Sequence, residues 1–262
     1  MSEEVRISDR DGVRRIELDR PASKNGLTPA INRQIIAGLR ETYDDPETRV
    51  IVLAGAGGNF SSGLDLKHAM RQGPQPREKR RESLENDFHG LIRAVVDAPM
   101  PTIAAVDGAA VGFGGDLALA CDIRILSERA RFGEIFVRRG LMPDGGSTFN
   151  LPRLVGVGRA LELMLTGDII DAETAYRIGL CNHVYPVDEF EERVWQLASR
   201  LAKGPPLVHR LVKQAVHASL SGTLDDALAR EREGQLQLLE SRDFAEGVTA
   251  FLSKREPRFT GK

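Results

Sequence analysis

The sequence predicts an α/β fold followed by a region of helices alone. Short apolar runs end in glycine and lead into helical patterns, as at residues 49–58 and 102–120. The strand-like runs are apolar on both faces, which is typical of a sheet buried between layers of helices. From Pro205 onward only helical patterns occur.

A hairpin opens the chain, because two strand-like runs flank the turn sequence DRDG. The first helix has Thr28 as a capping hydroxyl before Pro29 and apolar residues at helical spacing. In chain order, the expected elements are strands at 5–8 and 13–18, a helix at 29–43, strands at 49–54 and 102–106, a helix at 116–120 and a strand at 123–126.

Residues 70–84 read MRQGPQPREKRRESL, which is polar and basic with two prolines. This composition predicts a mobile surface loop that leads into a helix ending near Ala98. Its basic cluster at 77–81 is interpreted as a solvated face, with phosphate binding as the alternative. The appended helices are expected at 207–220, 224–239 and 244–252, as an oligomerisation surface.

Composition limits the function classes. The chain has 262 residues, 41% hydrophobic, and a formal net charge of -2 from 36 basic and 38 acidic residues. This balance gives no global reason to expect nucleic acid or an anionic membrane as partner. The charged N-terminus lacks a signal-type apolar stretch, so neither export nor membrane spanning is expected. Cys121 and Cys181 have apolar neighbours and form no CxxC pair, which predicts buried thiols and a reducing cytoplasm.

Two glycine-rich turns suggest the chemistry: FSSGLDL at 60–66 and AAVDGAAVGFGGDLALACD at 104–122. Each leads from a strand through glycine into a helix, where backbone N–H groups are free to face negative charge. Two such turns side by side would form an oxyanion hole for a thioester enolate. Tight turns and close packing could also explain the glycines, and neither turn fits a GxGxxG motif or a P-loop.

In this order and separation, the two turns resemble the signatures of the crotonase or enoyl-CoA hydratase/isomerase family. The resemblance covers nearly the whole chain, and its other segments are RPASKNGLTP at 20–29, RGLMPDGGSTFNLPRLVG at 139–156, LTGDIIDAETAYRIGLCNHVYP at 165–186 and FLSKREPRF at 251–259. It implies a ClpP-like crotonase spiral of ββα units at 1–200 and a helical trimerisation region at 201–262. The implied partners are an acyl-CoA thioester substrate and further copies of the chain, as a homotrimer or a dimer of trimers.

The resemblance also implies the binding residues. It places the oxyanion donors on the backbone N–H groups of Leu64 and Phe113, where Phe113 replaces a residue that is usually small. It places the phosphates of coenzyme A near basic residues of three separate segments, and the substrate's other contacts in the two turns. These expected coenzyme A contacts are Lys24, Ser62, Gly63, Asp65, Lys67, Gly112 and Lys254, with Arg255 as the alternative to Lys254.

Hydratases of the family use two glutamates, and this sequence departs from that pattern. The position of the first glutamate holds Asp116, and that of the second holds Phe136, which cannot transfer a proton. Glu134 lies two residues earlier and would share the direction of Phe136 if residues 132–136 are extended, but a surface or loop role is expected for it. The five histidines show no paired ligand spacing, so they are interpreted as structural or surface residues. No metal is expected, and no cofactor beyond the coenzyme A carried by the substrate.

Asp144, in the sequence PDGG, is the other candidate acid. It could be an N-cap for a helix that begins near Gly146. It also resembles the catalytic aspartate of the dienoyl-CoA isomerases, the phenylacetate-pathway ring-CoA isomerases and the aromatic CoA dehalogenases. The ring-CoA isomerases also carry an aromatic residue at the position of Phe136. We therefore expect double-bond isomerisation with Asp144 as base and Asp116 assisting, and hydration is the alternative.

Two other classes stay open. A dehalogenase or thioester hydrolase would use Asp144 as nucleophile, but the single tryptophan, Trp195, cannot supply an aromatic cage. A non-catalytic member would bind coenzyme A or RNA, which the balanced charge disfavours and the cluster at 77–81 favours. The Ser61-Ser62-Gly63 run is not a GxSxG elbow. No motif identifies the acyl group, whose pocket is expected to involve the 70–90 segment.

Overall fold

The computed structural model describes residues 4–262, as strands and helices in two sheets and their covering layers. The strands are β1 (Val5–Arg10), β2 (Val13–Leu18), β3 (Val50–Gly55), β4 (Thr102–Val106), β5 (Ala109–Val111), β6 (Ile123–Ser127), β7 (Arg131–Gly133), β8 (Ile170–Asp171) and β9 (His183–Tyr185). The helices are α1 (Pro29–Arg40), α2 (Leu66–Arg71), α3 (Arg77–Ser83), α4 (His89–Val96), α5 (Phe113–Ala120), α6 (Ser147–Val155), α7 (Val157–Thr166), α8 (Ala172–Arg177), α9 (Val187–Ala202), α10 (Pro206–Ser219), α11 (Leu224–Leu239) and α12 (Arg242–Leu252).

The larger sheet has the strand order β1-β2-β3-β4-β6-β9. Its first pair is the expected antiparallel hairpin, which turns at Asp11 and Gly12 with positive φ angles of 49° and 79°. The other neighbours are parallel, and Ile51 of β3 aligns with Thr102 of β4. Because parallel strands end at the same edge, the glycine-rich segments that follow β3 and β4 start from one side of the sheet.

Apolar residues cover both faces of this sheet, as its strand pattern predicts. On one face, α1, α4 and α5 contribute buried residues such as Ile35, Leu91 and Leu117 to the main core. On the other face, Phe190 and Val194 of α9 belong to a second core that includes residues of β2, β3, β4 and β6. The sheet is therefore a rigid base for the turns at its edge.

A small second sheet, with the order β5-β7-β8, holds the second glycine-rich turn in place. β5 and β7 are parallel, and Val111 aligns with Gly133. Beyond β5, the Gly112 amide donates a hydrogen bond of 2.9 Å to the Gly133 carbonyl. This pairing brings the start of α5 beside the segment that follows β7.

Several expected boundaries differ from those of the structure. The loop predicted at 70–84 is wrong over Arg77–Ser83, which forms α3. This helix continues through the π-helical turn Leu84–Phe88 into α4. Its Arg, Glu and Lys residues are strong helix formers, and Pro76 stands outside it at the N-cap. α5 begins at Phe113 rather than Asp116, directly after Gly112 at φ 55°. α1 ends at Arg40 rather than residue 43, and β1 extends to Arg10.

The predicted helical C-terminal region is present as α10, α11 and α12. Apolar side chains of these helices are exposed: Val212, Val216, Leu220, Leu224, Leu228, Leu236, Leu239, Phe244, Val248, Phe251 and Leu252. Cys121 and Cys181 are buried free thiols, as predicted. Within residues 4–262, no helix combines the length and apolar character needed to cross a membrane.

Candidate active site

The first glycine-rich turn is held between two neighbouring segments. The Ser61 amide donates to the Ala109 carbonyl, and the Val111 amide donates to the Ser61 carbonyl, so this turn pairs with β5. On its other side, Leu27 forms a parallel bridge with Leu64 through the Gly63 carbonyl and the Asp65 amide. Alternate residues of a parallel ladder face opposite sides, so the N–H of Leu64 points away from Leu27.

Glycine lets the two turns pack backbone against backbone. A Cβ at Gly63, where φ is +81°, would lie 2.7 Å from the Val111 carbonyl oxygen and 3.1 Å from the Phe113 nitrogen. A Cβ at Gly114 would lie 2.5 Å from the Ser61 carbonyl oxygen. No other residue type fits either position without a shift of the backbone. The first turn is therefore in direct contact with the start of α5.

Two main-chain donors at this contact are unused. Phe113 is the first residue of α5, so its N–H has no partner inside the helix. Among residues 4–262, no backbone or side-chain acceptor bonds the N–H of Phe113 or of Leu64. Two neighbouring free amides can hold an oxygen that gains negative charge.

Both residues line a cavity of about 130 Å³ that is mostly apolar. Phe88 of the π-helical turn packs edge-on against Phe113, with ring centroids 4.9 Å apart. Phe136, where the two-glutamate pattern has its second acid, also lines the cavity. The described lining residues are Ser62, Leu64, Leu66, Leu84, Phe88, Gly112, Phe113, Ile135, Phe136, Arg139, Leu141 and Asp144. The cavity therefore suits an apolar group next to the two amides.

Asp144 is the carboxylate among these lining residues. The alternative that it caps a helix is wrong, because α6 has Gly146 at its N-cap and no side-chain capping bond. Partial burial raises the pKa of Asp144, and the nearby His89 lowers it, with a net shift upward. A carboxylate with a raised pKa is a better proton acceptor at neutral pH.

Asp116 lies behind the cavity rather than in it. It is fully buried in the first turn of α5, and its Oδ2 accepts a 2.8 Å hydrogen bond from the Gly145 amide. A Cβ at Gly145 would lie 2.4 Å from that oxygen, so glycine is needed there. Asp116 is not among the described lining residues, so the structure does not bring it to the place where a substrate would react.

Glu134 is also fully buried, so a surface position is wrong, although it does lie in the connection that follows β7. It follows β7 directly, and its Oε2 accepts a 3.2 Å hydrogen bond from the Ser147 hydroxyl. Burial, followed by the charge of Asp116, raises the pKa of Glu134. The available signal was an acid within the otherwise apolar run FGEIF at 132–136.

Comparison with known proteins identifies the family. Residues 8–262 match the model of the family described as Enoyl-CoA hydratase/isomerase. The chain belongs to this family. It is 42% identical over 258 residues to the "Probable enoyl-CoA hydratase" of Rhodobacter capsulatus, and each chain is covered to 98%. It is 37% identical over 251 residues to the "1,2-epoxyphenylacetyl-CoA isomerase" of Escherichia coli, and each is covered to 96%.

A crystal structure of an enoyl-CoA hydratase from Bacillus anthracis has a TM-score of 0.94 to this chain at 34% identity. The match covers 99% of this chain and 100% of the other. The crotonase fold expected from the resemblance is thus confirmed, and so is an acyl-CoA enzyme of the enoyl-CoA hydratase/isomerase type. Both hydratases and isomerases occur among the relatives.

In this enoyl-CoA hydratase/isomerase, only some of the residues expected to contact coenzyme A lie at or beside the cavity. Ser62 and Gly112 line the cavity. The exposed Lys24 lies next to Ser62, whose amide donates to the Lys24 carbonyl. The exposed Lys67 follows Leu66 in α2.

The other expected contacts lie elsewhere or serve the fold. The Asp65 carboxylate caps α2 by accepting from the His68 amide, and it pairs with Arg20. Gly63 provides the close contact between the turns. Lys254 follows α12 and is not among the described residues of the cavity. The sequence prediction also assigned His89 a structural or surface role, although its charge acts on Asp144.

Proposed function

We propose that the chain moves the double bond of an enoyl-CoA thioester, with Asp144 as the base that removes a proton from one carbon and returns it to another. The observation that carries this proposal is the position of Asp144 in the same cavity as Leu64 and Phe113. The second acid of a hydratase is replaced there by Phe136, which has no proton to transfer.

In this reaction the Asp144 carboxylate takes a proton from the carbon next to the double bond. The electron pair of that C–H bond moves through the double bond to the thioester oxygen, which gives a dienolate. The amides of Leu64 and Phe113 donate to that oxygen, and one donor of this kind contributes about 2.7–4 kcal/mol to the barrier. The protonated Asp144 then returns the proton to the α carbon, which restores the thioester and leaves the double bond one position further from it.

A proton shift between two carbons of one substrate needs one acid–base group that can reach both carbons. Hydration needs a group to activate water and a group to protonate the α carbon. The fully buried Asp116, bonded to Gly145, is poorly placed for either role. Hydration remains the second candidate because the Rhodobacter capsulatus relative carries that name.

We also propose how the chain binds coenzyme A and how its copies assemble. Lys24 and Lys67 would bind the phosphates of coenzyme A at the rim beside Ser62, and Lys254 would come from a C-terminal region. The exposed apolar residues of α10, α11 and α12 support a homotrimer or a dimer of trimers. The proton shift requires no metal and no cofactor beyond the coenzyme A of the substrate. A cytoplasmic location stays a prediction of the sequence.

Incubation with a panel of 2-enoyl-CoA and 3-enoyl-CoA thioesters in deuterated water tests the proposal. Mass spectrometry separates products that have gained water from isomers that have gained deuterium. We expect isomers from the native chain and none from Asp144→Asn. A hydrated product that Asp116→Asn abolishes would replace isomerisation by hydration.

A further inference from the structure

Three buried polar groups from different elements lie near one another behind the cavity. Asp116 lies at the start of α5, Glu134 follows β7, and Ser147 is the first residue of α6. All three are fully buried. The Ser147 hydroxyl donates to Glu134 Oε2 at 3.2 Å, and the carboxyl groups of Asp116 and Glu134 are close enough for each to shift the pKa of the other.

Two neighbouring carboxyl groups can bond to each other only if one of them carries a proton. One oxygen of each carboxyl group, Asp116 Oδ1 and Glu134 Oε1, is buried and has no hydrogen-bond partner among residues 4–262. Two ionised carboxylates in this position would leave both oxygens unsatisfied and place like charges together. A proton that one carboxyl group donates to the other removes one of the two charges and gives each group a further hydrogen-bond partner.

The surroundings assign that proton to Glu134. Asp116 accepts from the Gly145 amide, and Ser147 also favours its charged form. Glu134 accepts one longer bond from Ser147. Asp144 is a further negative group whose charge acts on both. Burial raises the pKa of both carboxyl groups, and that of Glu134 is raised further.

The pair is linked to the cavity through Gly145, the neighbour of Asp144. The Gly145 amide bonds to Asp116 at 2.8 Å, and the closeness of Gly145 to Asp116 leaves no room for a side chain. This contact fixes the backbone of the PDGG segment at the point where Asp144 enters the cavity. A change in the position of Asp116 is thus transmitted to Asp144 through one peptide unit.

We propose that Glu134 is a positioning residue: it stays protonated, donates its proton to Asp116 and, through the Asp116–Gly145 bond, holds the Asp144 carboxylate beside the cavity. This role rests on Asp144 being the base of the proposed function. Asp116 acts in the same chain of contacts, as a positioning residue rather than a catalytic one.

Two replacements of Glu134 separate this role from simple packing. Glu134→Gln keeps an uncharged donor of nearly the same shape, and Glu134→Leu keeps the volume without the donor. We expect Glu134→Gln to retain kcat within about threefold at neutral pH, whereas Glu134→Leu lowers kcat about 100-fold with KM unchanged. The control Asp243→Asn alters another buried carboxyl group, in α12, and should leave kcat unchanged.

The pH profile gives a readout that packing alone would not change. Raising the pH removes the Glu134 proton, so the native chain should lose kcat on the alkaline side, while Glu134→Gln should lack that loss. Equal kcat for Glu134→Leu and Glu134→Gln, or the same alkaline limb in Glu134→Gln and the native chain, would overturn the proposal.

Carbon-13 NMR of the chain labelled at glutamate carboxyl carbons tests the proton without substrate. We expect one resonance at the protonated position at neutral pH, absent from Glu134→Gln. Its absence from the native chain would contradict the shared proton. If the resonance is present and no enoyl-CoA thioester is turned over, the shared proton stands and the proposed isomerase function fails.

Discussion

Replacement of Gly63 by alanine should separate the two turns that carry the free amides. The new Cβ would lie 2.7 Å from the Val111 carbonyl oxygen and 3.1 Å from the Phe113 nitrogen, at a backbone φ of +81°. The left-handed conformation alone costs about 1–2 kcal/mol. The clash must also shift one turn, and loss of one oxyanion donor costs about 2.7–4 kcal/mol. We therefore expect kcat to fall about 100- to 1,000-fold.

The matched control is Gly73→Ala. Gly73 also has a positive φ, +68°, but a Cβ there would meet nothing within 4 Å. Both variants should lose about 1–2 kcal/mol of unfolding free energy from backbone strain, measured by denaturant titration. Only Gly63→Ala should lose kcat with an enoyl-CoA substrate. A folded Gly63→Ala variant with kcat within threefold of the native chain would refute the reasoning.

Three further predictions concern the acids and the thiols. Asp144→Asn should lower kcat at least about 100-fold while coenzyme A still binds, measured by steady-state kinetics and calorimetry, and undiminished kcat would exclude Asp144 as base. Burial raises the pKa of Glu134 in the folded state, so the stability of the native chain should fall as the pH rises above about 4.3, the pKa of this group in the unfolded state. The stability of Glu134→Gln relative to the native chain should therefore increase by more than about 1 kcal/mol from about pH 5 to about pH 8. A difference in denaturant titrations that stays constant with pH would contradict this. Burial raises the pKa of Cys121 to about 12 and of Cys181 to about 11, so a thiol reagent should react slowly before denaturation and rapidly after it.

Much of the fold could be predicted because local patterns and the family signatures agree. The hairpin turn falls on the second half of DRDG, at Asp11 and Gly12, and Thr28 caps the first helix before Pro29 as expected. The two glycine-rich turns also contact each other as the oxyanion-hole hypothesis requires. The basic segment at 77–83 is helical rather than a loop, because its Arg, Glu and Lys residues favour a helix and both prolines, Pro74 and Pro76, lie before it.

The buried pair could not be predicted, because it depends on contacts between distant segments. Asp116 and Glu134 come from α5 and from the end of β7, and the parallel pairing of β5 with β7 brings those segments together. Similarly, His89 lowers the pKa of Asp144, although more than fifty residues of sequence separate the two. A single acid inside an apolar run indicates burial, but its partner appears only in the fold.

The most direct test is a crystal structure of the chain with an unreactive analogue of an enoyl-CoA thioester. We expect the thioester oxygen to lie within about 3 Å of the amide nitrogens of both Leu64 and Phe113, with Asp144 beside the acyl carbons. A thioester oxygen that faces away from both nitrogens, or an acyl group bound outside this cavity, would contradict it.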